Sequence, residues 1–325
     1  QFTFQSLNLR AEIGGNSYAL NLDGESIILD AGMHPKEEGQ DAIPRYQLIP
    51  YDTAAAIIIS HSHLDHFGTL PVAQREQPSA PVYLTAPCAA LGEALLHNSV
   101  NVMSSQREEL AIPEYPLYHH REIDYLRDRW MLRDYERTFT LDPHGESDTE
   151  ITFYDAGHIL GSAGVLIEKN EKTIFYTGDV HFKGHTLIKG ARFPELDEPD
   201  LLIMETTRGI DERPTDYTRA DQEDRFAEHI REALEAGGSV LVPVFAIGKT
   251  QEGLTMIDNF KADGRIPVKT PVFMGGLSTK MTGIYDSFSD STRRHRPNFE
   301  ILRDMDVHTG SKKKRAPIEY KPGAI

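Results

Sequence analysis

Apolar positions in this chain change period several times, and each change marks an element. Residues 2–9, 17–22 and 26–29 are short runs rich in apolar, β-branched and aromatic side chains, separated by Gly14-Gly15 and Asp23-Gly24, and they predict an antiparallel meander. Residues 31–51 are polar and proline-containing and predict a loop. Residues 54–59 read as a buried strand, 67–76 as a helix, 81–85 as a strand, and 87–106 as a helix that admits Pro87 in its first turn. Over 119–137, Ile123, Leu126, Trp130 and Met131 fall near helical spacing and predict a surface helix, with His119 and His120 solvated at its start. Residues 150–154, 165–168, 173–176 and 201–204 follow as strands. Phe226, Ile230, Ala233 and Leu234 then share one face of a helix over 221–236, closed by Gly237-Gly238. A strand over 239–245, a helix opening at Gly248, strands over 271–274 and 299–302, and a helix over 278–288 complete the reading.

At 325 residues the chain has the size of two domains. No apolar run reaches the roughly 18 residues that span a bilayer, so no membrane partner is expected. The lone cysteine, Cys88, rules out an internal disulfide framework and points to a reducing, cytoplasmic setting. A formal charge of −16 argues against indiscriminate binding to phosphate backbones, although bound divalent ions lie outside that count. Concentrated basic stretches are confined to Arg293, Arg294 and Arg296 and to 312–315; these read as solvated faces that could also hold a phosphate backbone. The chain starts at Gln1 rather than Met and reads as trimmed. No feature specifies an oligomer.

The chemistry concentrates at Ser60-His61-Ser62-His63-Leu64-Asp65-His66, which sets three imidazoles and a carboxylate at a strand-to-helix turn. In extended backbone His61 and His63 point the same way, toward one ion, and the turn after Leu64 re-aims Asp65 and His66 toward a second. Hydrolytic sites of this type hold their ions about 3.5–4 Å apart. Imidazole and carboxylate donors suit zinc best, with manganese or iron as alternatives. Gly248-Lys249-Thr250 does not make a P-loop, because Pro243 and Val244 stand where the upstream glycine is required.

The His-x-His-x-Asp-His pattern resembles the signature of the metallo-β-lactamase superfamily, and further motifs follow in order. Leu29-Asp30-Ala31-Gly32 resembles its N-terminal aspartate motif, Asp155-Ala156-Gly157-His158 its second histidine motif, and Thr177-Gly178-Asp179 its bridging aspartate. The resemblance implies His61, His63 and His158 on one ion, Asp65 and His66 on the other, Asp179 between them, and Asp30 supporting the ligand loop from behind. Glu205-Thr206-Thr207-Arg208-Gly209 is similar to a motif of the beta-CASP nuclease branch in which the acid is functional; Arg208 replaces an aromatic residue there. Gly237-Gly238 through Lys249 resembles the start of the beta-CASP insert. The implied fold is α/β, a metallo-β-lactamase αββα sandwich over 1–209 followed by an incomplete beta-CASP domain over 210–325. No histidine after His185 stands in a matching context for the last metal ligand or the proton donor, so a C-terminal part is expected to lie beyond this chain.

The implied activity is metal-dependent hydrolysis of RNA, endonucleolytic or 5′ exonucleolytic, by a hydroxide on a dinuclear zinc site. In that reading Asp65, Glu205 and Asp30 serve catalysis. A small-molecule hydrolase of the same fold, lactonase or thioesterase, is the alternative, and the insert-like segment weighs against it. A silent scaffold has no need for six costly polar ligands in one cleft.

Overall fold

A computed structural model describes residues 2–9, 12, 14–141, 147–210, 212, 214–310 and 322–325. The basic run 312–315 lies outside them. The chain divides into two compact units, Gln1–Lys183 with Gly190–Thr207, and Gly184–Lys189 with Arg208–Ile325.

The first unit contains β1 (Phe2–Ser6), β2 (Tyr18–Leu22), β3 (Glu25–Leu29), β4 (Ala54–Ile58), α1 (Leu64–Phe67), α2 (Leu70–Glu76), β5 (Val82–Leu84), α3 (Ala86–Glu109), α4 (His120–Arg127), β6 (Trp130–Leu132), β7 (Phe139–Thr140), β8 (Glu150–Asp155), β9 (Ala163–Lys169), β10 (Lys172–Tyr176) and β11 (Leu201–Ile203). Six strands form one sheet in the order β1-β2-β3-β4-β5-β6, and five form a second in the order β11-β10-β9-β8-β7. The expected meander is β1-β2-β3. Its second turn, at Asp23-Gly24, has φ of 51° and 100°, the left-handed pair whose twist matches a two-residue hairpin.

Alternation along the strands builds two cores. Ile27, Leu29, Ala56 and Ile58 face the second sheet and pack with Ile151, Phe153, Val165, Ile167 and Ile174. Ile28, Ile57, Val82 and Leu84 face the other way, against Phe67 of α1, Leu70 of α2 and Cys88, Leu96 and Val100 of α3. The centre of the first sheet, at β4 and β5, is therefore buried on both faces, which is why residues 54–59 read as a continuous apolar run. Thr85 caps α3 by accepting from Cys88 N at 3.3 Å.

The predicted helix over 119–137 ends at Arg127. Trp130–Leu132 is instead β6, pairing in parallel with β5 and placing Trp130 beneath Phe67, with ring centroids 5.5 Å apart and planes at 90°. The spacing of Ile123, Leu126, Trp130 and Met131 satisfied the helical period because Ile123 of the helix and Trp130 of the strand bury in the same core, whereas Met131 packs against the other.

In the second unit, α5 (Arg219–Glu235), α6 (Lys249–Ala262), β12 (Val272–Met274), α7 (Gly276–Ser287), α8 (Ile301–Asp304) and β13 (Val307–Thr309) surround Phe260, Ile230, Leu254, Met281 and Tyr285. β12 and β13 pair in parallel. Two expectations change here. Of residues 299–302, Ile301 and Leu302 open α8, because their backbone amides donate to the Asp286 carboxylate at 2.8 Å each, a side-chain cap that no local pattern announces. Residues 239–245 form no ladder strand among the described residues; Val240 N donates to Ala324 O at 2.9 Å, while Leu241 and Phe245 stay exposed. Among the described residues no helix is long and apolar enough to cross a membrane.

Candidate metal centre

The site lies where β4 runs out. His63 takes extended backbone (φ −61°, ψ 146°) at the head of α1, so His61 and His63 project before the turn and Asp65 and His66 after it. Gly32 makes the approach possible: a Cβ there would sit 1.8 Å from Asp65 O. Around that contact, Asn16 N, Ala31 N and Met33 N donate to the carbonyls of Asp65, His66 and Leu64 at 2.6, 2.8 and 2.7 Å. These bonds satisfy the end of a helix one turn long.

His61, His63 and His158 meet edge to face, with ring centroids 5.0–5.1 Å apart. His61 Nε2 and His158 Nε2 each face His63 Nδ1 at 3.2 Å. One ligand atom from each of these rings and from Asp179 lies within 4.8 Å of the others. Asp179 Oδ2 is 3.6 Å from His158 Nε2 and 3.9 Å from His61 Nε2, whereas its Oδ1 is 3.3 Å from His66 Nε2. His66 Nε2 also stands 3.9 Å from Asp65 Oδ2. Gly178, at φ 52° and with a built Cβ only 2.7 Å from Ser60 Cβ, lets Asp179 approach the histidine turn.

Asp30 is fully buried and holds the turn from beneath. Its Oδ1 accepts from Ser60 N at 2.6 Å, and its Oδ2 accepts from Ser60 Oγ, Tyr176 OH and His66 Nδ1 at 2.7, 2.6 and 2.7 Å. Four donors offset the cost of burying that carboxylate. Its φ of 59° is left-handed backbone, which costs about 1 kcal/mol and is over-determined by these bonds.

The electrostatics fit a divalent cation. Burial, followed by the neighbouring imidazoles, pushes His61 well below its ordinary value, leaving it the neutral donor a metal requires. Burial alone would depress His66 too, but Asp30 and Asp179 outweigh it and hold that ring well above its usual value. Burial would raise Asp179; the hydrogen bond from His66 and the rings of His66, His158 and His63 keep it well below the carboxylate range. With Nδ1 donating to Asp30, His66 turns Nε2 toward two carboxylates, a place where a cation is favoured. Three imidazole nitrogens and a carboxylate oxygen are a donor set for a borderline divalent ion.

Glu205 lies on the loop after β11, where its backbone N donates to Thr177 Oγ1 at 3.3 Å and its carboxylate accepts from Thr207 N at 3.0 Å. It is outside the four-residue ligand group. His181 donates its backbone N to Ala156 O, whereas His185 belongs to the second unit. Sequence reasoning assigned no role to Asn16, whose side-chain amide stands 2.9 Å from His66 Nε2, or to Ser60 and Tyr176 as partners of Asp30. For the latter two, position within the motifs was a signal; for Asn16 there was none.

The chain is 32% identical to Endoribonuclease YSH1 of Gibberella zeae over 281 residues, covering 85% of this chain and 32% of that protein. It is 30% identical to Cleavage and polyadenylation specificity factor 73 of Drosophila melanogaster over 304 residues, covering 91% of this chain and 41% of the relative. The chain thus spans 32% to 41% of the length of these curated relatives. A crystal structure of a protein of unknown function from Enterococcus faecalis V583 shares the fold, with a TM-score of 0.54 at 14% identity, covering 95% of this chain and 76% of that one. Residues 19–204, which hold His61, His63, Asp65, His66, His158 and Asp179, match the metallo-beta-lactamase superfamily domain, and the chain belongs to that superfamily.

Proposed function

We propose that this protein is a metal-dependent RNA phosphodiester hydrolase of the beta-CASP branch, working with two zinc ions. The observation that carries the reading is the divided use of Asp179, whose Oδ2 turns to His61 and His158 while its Oδ1 turns to His66. A carboxylate with each oxygen toward a different donor set suits a ligand shared by two cations. In this reading His61, His63, His158 and Asp179 would hold the first ion, and Asp65 and His66, together with Asp179, would hold the second, with Asp30 fixing His66 through Nδ1. Divalent ions bound there supply Lewis-acid stabilisation of charge on phosphoryl oxygens and acidify a water. Asp65 orients the attacking water, and Glu205, tethered beside Thr177, orients the proton donor to the leaving oxygen. Residues 1–209 form the catalytic domain and 210–325 belong to a beta-CASP insert. The relatives named endoribonucleases support RNA as the substrate and internal cleavage as the mode. The buried Cys88 suits a reducing cytoplasm.

The test is incubation of the full-length protein with labelled single-stranded RNA and, separately, with a chromogenic lactam and a thioester. RNA cleavage that stops with chelator and in Asp179→Ala is expected. Turnover of the thioester or lactam with RNA left intact would overturn the reading in favour of a small-molecule hydrolase.

A further inference from the structure

In the first unit α3 and α4 pack together, and each carries two side chains of the kinds that can ligate metals, four residues apart: Glu93 and His97 on α3, His120 and Asp124 on α4. Residues at that spacing share a helix face, so each helix offers its pair as a unit. His97 stands at the centre. Its Nε2 is 3.3 Å from Asp124 Oδ1, and its Nδ1 is 2.8 Å from His120 Nδ1, the two rings meeting edge to edge with centroids 5.1 Å apart and planes 19° apart. Ligand atoms of Glu93, His97 and Asp124 lie within 4.8 Å of one another, and the cluster shares no residue with the catalytic centre.

We infer that Glu93, His97 and Asp124 form a separate site for a divalent transition ion, zinc above all, which ties α4 to α3. Exposed acids alone are ordinarily a solvated face, but this group has features such a face lacks. It centres on an imidazole whose side chain is only 23% exposed. A histidine that ligates through Nε2 must keep its proton on Nδ1, and that proton needs an acceptor. His120 Nδ1 stands where the acceptor is required, so the ring contact stabilises the metal-binding tautomer. Imidazole with two carboxylates gives three of the four positions of tetrahedral zinc and leaves one for water. One cation already tests the negative potential: Arg127 Nη1 donates to Glu93 Oε1 at 2.9 Å. It occupies a single oxygen of Glu93, and it competes with the ion.

The experiment is zinc titration of the metal-free protein by calorimetry, together with hydrogen exchange. His97→Ala is expected to bind one zinc equivalent fewer than the wild type, and Asp124→Asn, on an exposed side chain that leaves folding intact, to lose the same equivalent. Arg127→Ala should bind that equivalent more tightly, by up to about fivefold, the worth of an exposed ion pair. Zinc should slow exchange of the α4 amides in the wild type and leave them unchanged in Asp124→Asn. Equal zinc stoichiometry in wild type, His97→Ala and Asp124→Asn, or α4 protection by zinc that persists in Asp124→Asn, would overturn the inference. This readout is local to α3 and α4 and independent of RNA cleavage.

Discussion

At the scale of residues, ligands and the groups that hold them should fail differently. His63→Ala and Asp179→Ala remove partly exposed donors rather than packing from the core, so both should abolish turnover with the fold retained. Asp179→Ala should lower total bound metal more than His66→Ala, because its two oxygens face two donor sets; metal analysis of the three proteins decides it, and unchanged metal in Asp179→Ala would remove the bridge. Asp30→Asn should behave in another way. It sets an amide against four donors, leaving buried hydrogens opposed, and should cost about 3 kcal/mol of stability, read as a shifted denaturant midpoint with the slope unchanged. Tyr176→Phe removes one of those donors and should cost about 1 kcal/mol. The six proposed ligands were legible because histidines and acids cluster densely in short motifs. Asn16 was not, since its contact with His66 spans 50 residues and depends on backbone pairing between Asn16 and Asp65.

At the scale of elements, the strands of the first unit were readable wherever one side chain in two met a core, and β2, β3, β4, β8 and β10 fall where alternation or apolar runs placed them. Reading failed where long-range bonds decide. β6 is a strand because β5 offers it a parallel partner, and α8 is a helix because Asp286 caps it. Glu252, on α6, is a similar case with a measurable consequence. Nearly buried, it accepts from Thr186 N and Oγ1 at 2.7–2.9 Å, from Leu187 N at 3.2 Å and from Arg219, anchoring segment Gly184–Lys189 within the second unit. Burial alone would raise its pKa, yet those donors, with His185 and Arg219, hold it below the ordinary glutamate value. A carboxylate depressed in the folded state contributes stability above its unfolded pKa and loses it as pH falls through the folded value. The second unit should therefore lose stability as pH drops below about 4.5, and Glu252→Gln should remove that acid sensitivity while costing about 2 kcal/mol near neutrality. Equal acid sensitivity in Glu252→Gln and wild type would show that other carboxylates govern it.

At the scale of the whole molecule, the motifs and the fold they imply are unevenly shared between the two units. Every residue proposed to hold metal lies in Gln1–Lys183, whereas the second unit is stabilised by its own apolar cluster around Phe260 and Tyr285. Metal should therefore act on the two units unequally. A ligand that binds only the folded form stabilises by RT ln(1 + [L]/Kd), about 2.7 kcal/mol at a hundredfold excess over Kd. The protein has a single tryptophan, Trp130, packed on Phe67 in the core beside the histidine turn, so intrinsic fluorescence reports unfolding of the first unit. Adding zinc to the metal-free protein should move the Trp130 transition to higher denaturant, while amide exchange in α5, α6 and α7 stays unchanged. Because two units need not unfold in one step, the two probes are to be read separately rather than through one midpoint. Zinc protection that reaches α5 to α7 as strongly as the Trp130 transition would mean that the second unit draws its stability from the metal-bound first, and that the independent cores seen here do not unfold independently.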